Sequence, residues 1–293
     1  MTNNPSIAVL LAAYNGIPWI KEQIDSIFQQ KGVDVDIYIS VDLSSDGTHE
    51  WCQELAAKNT HVNILPYGDR FGGAGKNFFR LIRDVDFGDY DYISLADQDD
   101  IWLPDKLSRA VKLIIDRKLD GYSSNVIAFW ENGREKLIKK SYPQKQFDYY
   151  FEAAGPGCSY VFKRESIQKF KGFLIDNWIQ VNKVEWHDWM IYSYFRSLSM
   201  LWYIDEVSLM YYRQHGNNQI GANNGIRAYL SRFQKINNKW YHGEVQKIID
   251  LIKPYSRETI VLDRVFLIKN FYQLRRSPVD ALVLLFTIIL GVF

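Results

Sequence analysis

Three carboxylates crowd the end of one short apolar run. Asp97, Asp99 and Asp100 follow Tyr92 to Ala96 in the stretch Ser94-Leu-Ala-Asp-Gln-Asp-Asp-Ile-Trp-Leu-Pro-Asp105. From Asp84 to Asp105 there are eight Asp and no Lys or Arg. Clustered carboxylates repel one another unless something positive sits among them. A divalent cation that prefers oxygen ligands, Mg²⁺ or Mn²⁺, bridging to a phosphate is the chemistry such a cluster serves. A bare Asp-x-Asp also describes a solvated acidic turn. The position at a strand end, in a chain where strands and helices alternate, is what favours the cation.

The elements that must hold these groups can be read in order. Ile7 to Ala13 is a continuous apolar run ending at Tyr14-Asn15-Gly16, as in a strand buried on both faces. Pro18 suits the first turn of a helix running to about Gln30. Val35 to Val41 is a second strand, followed by Asp42-Leu-Ser-Ser-Asp-Gly-Thr48 and a helix to about Lys58. Val62 to Leu65 is a short strand, and Gly72-Gly-Ala-Gly75 is a loop before a helix from Lys76 to Asp84. Polar clusters thus fall at strand carboxyl ends, the signature of a mostly parallel α/β sheet with its ligand crevice there. A helix follows Pro104 to about Lys118. Val126 to Trp130 and Arg134 to Lys140 read as a hairpin, Cys158 to Phe162 as a strand, and Trp186 to Arg196 as a helix. Met200 to Ile204 and Ser208 to Tyr212 read as strands, and helices are expected over about 226–238, 240–252 and 257–276.

Composition narrows the class. The chain has 293 residues and a net charge of +1, so nothing points to nucleic acid. Two cysteines, Cys52 and Cys158, are too few and too unpatterned for a disulfide framework or a zinc site. No signal peptide is recognisable, and a reducing cytoplasmic setting is the default expectation. Residues 227–276 carry eleven Lys/Arg against four Asp/Glu. Beyond them Ala281 to Phe293 has no charge in thirteen residues, short of the roughly 20 a spanning helix needs. It reads as a buried terminal helix, an interfacial anchor or the start of a longer span. The basic stretch before it suits an anionic membrane face.

Six stretches in this order resemble the family 2 glycosyltransferases of the GT-A fold, over about residues 6 to 220. They are Leu10-Leu-Ala-Ala-Tyr-Asn-Gly16, Asp42-Leu-Ser-Ser-Asp-Gly-Thr48, Gly75-Lys-Asn-Phe78, Ala96-Asp-Gln-Asp-Asp-Ile-Trp102, His187-Asp-Trp189 and Tyr212-Arg-Gln-His-Gly-Asn-Asn218. The likeness is greatest to bacterial rhamnosyltransferases of surface-polysaccharide (O-antigen or capsule) synthesis. It implies a GT-A domain over 1–222, with a nucleotide- and metal-binding half (1–105) and an acceptor half (106–222). Outside the resemblance, a helical C-terminal region is expected over 223–293, with an apolar tail that is either buried or membrane-associated.

The resemblance also implies roles. Ala13, Tyr14 and Asn15 wall the nucleotide site. Asp42 accepts a hydrogen bond from the pyrimidine imide, although relatives often carry two adjacent Asp where this chain has Val41-Asp42. Asp46 fits a turn or cap instead. Asp97 contacts the ribose or metal region, and Asp99 is the main ligand of Mg²⁺ or Mn²⁺, with His215 completing the metal site. Arg213 suits the diphosphate. Lys76 and Asn77 touch the base or sugar, or Lys76 is a solvated surface lysine. Asp188, which alone reads as a helix N-cap, becomes the base of an inverting transfer, with His187 supporting it. Trp102, Gly157, Cys158, His187 and Trp189 are expected to face acceptor or sugar. The implied partners are dTDP-L-rhamnose and a saccharide acceptor on a polyprenyl diphosphate, at the cytoplasmic face of the membrane. A UDP-hexose donor, a nucleotidyltransferase and a non-catalytic saccharide-binding subunit are the rival readings.

Overall fold

The computed structural model describes residues 4–216, 240–258 and 260–293. The expected helix at 226–238 and Asn217 and Asn218 of the last motif lie outside them. The first strand, β1 (Ser6–Ala13), is central. Ile7 to Leu11 have no exposed surface. Ala8, Leu10 and Ala12 join one apolar core, while Ile7, Val9, Leu11 and Ala13 join the other. An apolar residue at every position is what a strand between two helical layers requires, and each fully buried aliphatic side chain contributes about 1.5–3 kcal/mol.

The remaining elements follow in order. They are α1 (Ile20–Phe28), β2 (Asp34–Val41), α2 (Thr48–Lys58), β3 (Val62–Ile64), α3 (Ala74–Asp84), β4 (Tyr92–Asp97), β5 (Ile101–Trp102), α4 (Lys106–Arg117), β6 (Gly121–Ser124), β7 (Val126–Trp130) and β8 (Glu135–Ile138). After them come β9 (Val161–Lys163), α5 (Arg164–Asp176), α6 (Trp178–Val181), α7 (His187–Ser197), β10 (Trp202–Asp205) and β11 (Met210–Gln214). The C-terminal part carries α8 (Trp240–Ile252), α9 (Arg264–Lys269), α10 (Phe271–Leu274) and α11 (Pro278–Ile289).

The main sheet has seven strands in the order β10-β6-β9-β4-β1-β2-β3. Its β4-β1-β2-β3 half is parallel, with Ala12 beside Asp97 and Ala13 beside Val41. That register brings three strand ends level, so Tyr14, Asp42 and Asp97 emerge at one edge. A second sheet, β5-β11-β7-β8, pairs the residues after Asp100 with those before His215. The β7–β8 hairpin forms as expected.

Three expectations need correction. Cys158 to Phe162 is not one strand, because Gly157–Ser159 is a 3₁₀ turn and only β9 follows, antiparallel to both β4 and β6. Ser159 closes that turn by donating from both its amide and its hydroxyl to Pro156 O, at 3.0 and 2.7 Å. The strand expected over Ser208–Tyr212 runs instead over Met210–Gln214. The single helix expected over 257–276 is two short ones, α9 and α10. Asp263 caps α9 by accepting Phe266 N–H, and the Asn270 side-chain amide donates to Phe266 O at 2.9 Å where the helix ends. Helices α8 to α11 contribute Val245, Leu267, Leu274, Leu284 and Ile288 to the core that β1 and β4 share.

Helix α3 crosses close to the start of α7 at Gly75. A Cβ there would stand 2.2 Å from the main-chain oxygen of Glu185. Gly75→Ala is therefore expected to cost about 1–3 kcal/mol, lowering Tm by roughly 3–10 °C. It should also depress turnover, since Glu185 lies three residues before Asp188. A thermal melt with unchanged Tm would contradict the close approach.

Candidate active site

The strand-end edge gathers its polar groups through short, specific contacts. The Gln98 side chain pairs with the main chain of Tyr14, accepting its N–H at 2.7 Å and donating to its oxygen at 2.8 Å. Gly16 leaves room for this, since a Cβ there would fall 2.1 Å from Gln98 Oε1. The β1 turn is thereby tied to the Asp97–Asp100 turn. Sequence reasoning passed over Gln98, although its place between Asp97 and Asp99 puts it at the same edge. Asn15 Oδ1 accepts Ser45 N–H at 2.9 Å, which joins the β1 and β2 turns. Tyr14 is exposed and Ala13 buried.

Asp42 is nearly buried, and its carboxylate accepts N–H groups from Leu43 (2.8 Å), Phe71 (2.9 Å) and Gly72 (3.0 Å). It thus also pins the loop before α3. Asp46 makes a turn, accepting from Thr48 N–H at 3.0 Å, as expected. Asn77 is buried and donates to Ser40 O at 2.9 Å. It braces β2 against α3 and does not open onto the crevice. Lys76 is exposed.

The carboxylate cluster meets β11. Asp99 Oδ2 lies 2.7 Å from His215 Nε2, and the His215 ring stacks on Trp19 at 3.9 Å. Arg213 donates from Nε to Asp99 O at 2.8 Å, from its amide to Asp100 Oδ1 at 3.1 Å, and from its guanidinium to Glu22. The motif around residue 213 thus meets the Asp-x-Asp turn across more than 110 residues of chain. Burial, and then the charge of Asp99, push the Asp97 carboxyl up to about 7; Asp188 adds to the rise. Asp100 is pushed well up by burial and by Asp99 and Asp97.

This donor set fits a hard divalent cation. Asp97 and Asp99 offer carboxylate oxygens, His215 an imidazole nitrogen, and the buried Oδ2 of Asp100 has no partner among the described residues. A positive ion would relieve the repulsion that raises Asp97 and Asp100.

Asp188 stands on the first turn of α7. The N-cap is Trp186, so the cap reading of Asp188 does not hold, although one of its oxygens accepts Trp189 N–H at 2.8 Å. Burial raises its carboxyl to about 6, with Lys140 acting the other way. The charge of Asp188 adds to the rise of the Asp97 carboxyl, so the two groups lie near enough to feel one another.

Several aromatic and loop residues are not where the sequence put them. Trp189 has no exposed surface; its indole donates to Tyr149 O at 3.0 Å, and it is core. Trp102 is also buried, with the Lys106 ammonium 3.5 Å from its ring centre. His187 stacks on Phe78 at 4.1 Å and makes no hydrogen bond to Asp188 among the described residues. Burial pulls it down to about 3, so it is neutral. A Cβ on Gly157 would meet His187 Nε2 at 2.2 Å, so this glycine admits the imidazole behind the loop. Cys158 is buried beside the carboxylates, not open to an acceptor. All three aromatic expectations, Trp102, His187 and Trp189, failed in the same way: an aromatic near an acidic residue in sequence is more often packing than platform.

The mostly parallel half-sheet with an acidic turn at its carboxyl edge is the framework of a GT-A glycosyltransferase, and comparison with known proteins gives the family. The pattern of glycosyl transferase family 2 matches residues 8–206, and the chain belongs to that family. It is 45% identical over 289 residues to the dTDP-rhamnosyl transferase RfbG of Shigella flexneri, covering 97% of this chain and 100% of that one. It is 26% identical over 128 residues to the putative teichuronic acid biosynthesis glycosyltransferase TuaG of Bacillus subtilis, covering 42% of this chain and 49% of that one. Among solved structures, S. aureus TarS 1-349 in complex with UDP-GlcNAc aligns with a TM-score of 0.59 at 13% identity, over 98% of this chain and 80% of that one. The mannosyltransferase PcManGT of Pyrobaculum calidifontis, in complex with GDP-Man and Mn²⁺, aligns at 0.53 and 14%, over 99% and 87%. These two share the fold.

Proposed function

We propose that this enzyme transfers L-rhamnose from dTDP-L-rhamnose to a saccharide hydroxyl with inversion, assisted by Mg²⁺ or Mn²⁺. The observation that carries the mechanism is Asp188, a half-buried carboxyl on the first turn of α7 whose charge reaches Asp97. The choice of donor is supported by the full-length likeness to a dTDP-rhamnosyl transferase.

In this reading Asp42, oriented by the amides of Phe71 and Gly72, accepts the imide N–H of thymine with a remaining lone pair. Asp97, Asp99 and His215 would hold the cation, and Arg213 fixes the Asp99 main chain. When bound, the cation supplies positive charge against which the diphosphate departs. Asp188 takes the proton of the acceptor hydroxyl as that oxygen attacks the anomeric carbon from the face opposite the leaving group. Donor turnover tests the choice: dTDP release from dTDP-L-rhamnose should exceed UDP release from UDP-glucose or UDP-galactose. Faster UDP release would overturn it.

A base must be deprotonated to work. Since burial raises Asp188 to about 6, turnover is expected to fall about tenfold per pH unit below about pH 6 and to level off above it. The profile is measured at saturating donor and Mn²⁺. A flat profile from about pH 5 to about pH 8 would contradict the assignment.

The acceptor is proposed to be a saccharide on a polyprenyl diphosphate at the inner membrane face. Helix α11 supports this: Ala281, Leu284 and Ile288 are buried, while Val279, Leu282, Val283, Phe286, Ile289 and Leu290 are exposed. No helix among the described residues is long and apolar enough to cross a membrane. The 12 residues of α11 span only about 18 Å, against a hydrocarbon core of roughly 30 Å, so the exposed face is read as interfacial. Co-sedimentation with anionic phospholipid vesicles should fall about tenfold in Phe286→Glu. Equal sedimentation of both proteins would sink this part of the reading.

A further inference from the structure

Just beyond β8 the chain sets a cation against the loop that leads to β9. Lys140 is half-buried, and its amide donates to Asn125 Oδ1 at 2.6 Å. Its side chain lies along Gly155, where a Cβ would stand 3.6 Å from Lys140 Cγ. Among the described residues its ammonium makes no hydrogen bond or ion pair. Burial pulls the ammonium down; Glu152 and Asp280 oppose that, and Arg275 and Arg276 add to it. A desolvated ammonium without a partner is costly, so its place points to an anion that comes from outside the chain. Its surroundings run from the crevice to the C-terminal helices. The far end of the same loop, Gly157, makes room for His187, and Asp188 is the next residue. The charge of Lys140 reaches Asp188. Toward the C-terminal helices, Arg275 donates to Phe151 O at 3.1 Å and to the Tyr241 hydroxyl at 3.0 Å. Its carboxylate contacts are long, 3.7 Å from Nε to Glu152 and 3.8 Å from the guanidinium to Asp280, and the buried Nε has no hydrogen bond among the described residues. Arg276 is already engaged, with Asp148 at 2.9 Å. Asp280 stands on the first turn of α11. Lys140 and Arg275 are thus the incompletely paired cations between Asp188 and that helix.

We propose that Lys140 and Arg275 form an anion subsite that holds the diphosphate of a lipid-linked acceptor, with the saccharide hydroxyl reaching Asp188 and the hydrocarbon running along the exposed face of α11. The subsite rests on the acceptor class and the base proposed above. A guanidinium beside an ammonium suits phosphate oxygens, the first by its planar fork and the second as a point charge. On binding, Arg275 exchanges two long carboxylate contacts for short charge-assisted ones, and Lys140 gains the partner it lacks. The donor diphosphate is a different anion, which in the proposed reaction lies with the cation at Asp99 and His215.

The test is calorimetric titration of the purified protein with farnesyl diphosphate in EDTA, so that no cation supports the donor position. Lys140→Gln, which keeps the methylene groups lying on Gly155, and Arg275→Gln should each weaken binding about tenfold or more, and Lys140→Arg should restore most of the first loss. Binding should persist in Asp99→Ala. Inorganic diphosphate should bind more weakly than farnesyl diphosphate, and farnesol more weakly still, which assigns the ligand to a lipid and the contact to its phosphates. Mn²⁺-dependent dTDP binding should be the same in Lys140→Gln as in the unaltered protein, so that the subsite and the donor reading fail separately. If either glutamine variant does not fold, protection of Lys140 by farnesyl diphosphate against an amine reagent, mapped by mass spectrometry in the unaltered protein, reads the same contact. No binding of farnesyl diphosphate, equal affinity in Lys140→Gln, loss of binding in Asp99→Ala, inorganic diphosphate or farnesol binding as tightly as farnesyl diphosphate, or no protection of Lys140 would each overturn the proposal.

Discussion

Asp188→Asn is expected to lower turnover by about 10³-fold or more while leaving dTDP affinity within about twofold. General-base catalysis contributes about 10²–10⁴-fold, and asparagine cannot take the acceptor proton. The substitution is nearly isosteric. The amide oxygen can still accept Trp189 N–H, the hydrogen bond that holds the side chain at the start of α7. The nucleotide site should not weaken, because losing the Asp188 charge removes one of the influences that raise the Asp97 carboxyl. Stopped-flow or coupled detection of dTDP release, beside calorimetric dTDP binding, separates the two effects. Near-normal release would show that another group is the base. Weakened dTDP binding at unchanged release would place Asp188 in donor recognition.

The second large effect is expected at Asp99. Asp99→Ala should abolish the Mn²⁺-dependent part of dTDP affinity, a loss of about 100-fold at saturating Mn²⁺. The same change should leave metal-free stability unchanged or higher. The charge of Asp99 raises both Asp97 and Asp100, and removing it relieves repulsion that offsets the lost contact with His215. Opposite signs in the two measurements distinguish a metal ligand from a residue that only braces the turn. A variant that melts lower yet keeps full Mn²⁺-dependent affinity would be a brace.

Much of the donor half was legible because its signals are local. An apolar residue at every position from Ile7 to Ala13 means a central strand, and acidic or glycine-containing turns after three such strands mark one edge. The order of motifs also brought His215 to Asp99, although no periodicity links residues so distant. What was not legible depends on packing between distant segments. Cys158 reads as the start of a strand, yet Pro156 and Ser159 close a 3₁₀ turn that directs its thiol at Asp97 and Asp100. Trp189 and His187 flank Asp188 in the chain. Successive side chains on a helix point about 100° apart, so α7 buries both while Asp188 between them stays half-buried. In the C-terminal region the apolar pattern continues through Asn270, and only its side-chain bond back to Phe266 O shows where the helix stops. Lys106 gave no signal at all, since a lysine on the first turn of a helix is ordinarily solvated.

The most direct test of the central claim is calorimetric titration of the purified protein with dTDP and with UDP, each with and without Mn²⁺. The account predicts that Mn²⁺ tightens dTDP binding about 100-fold, and that dTDP then binds at least about tenfold more tightly than UDP. Tighter binding of UDP, or dTDP binding that Mn²⁺ does not change, would contradict it.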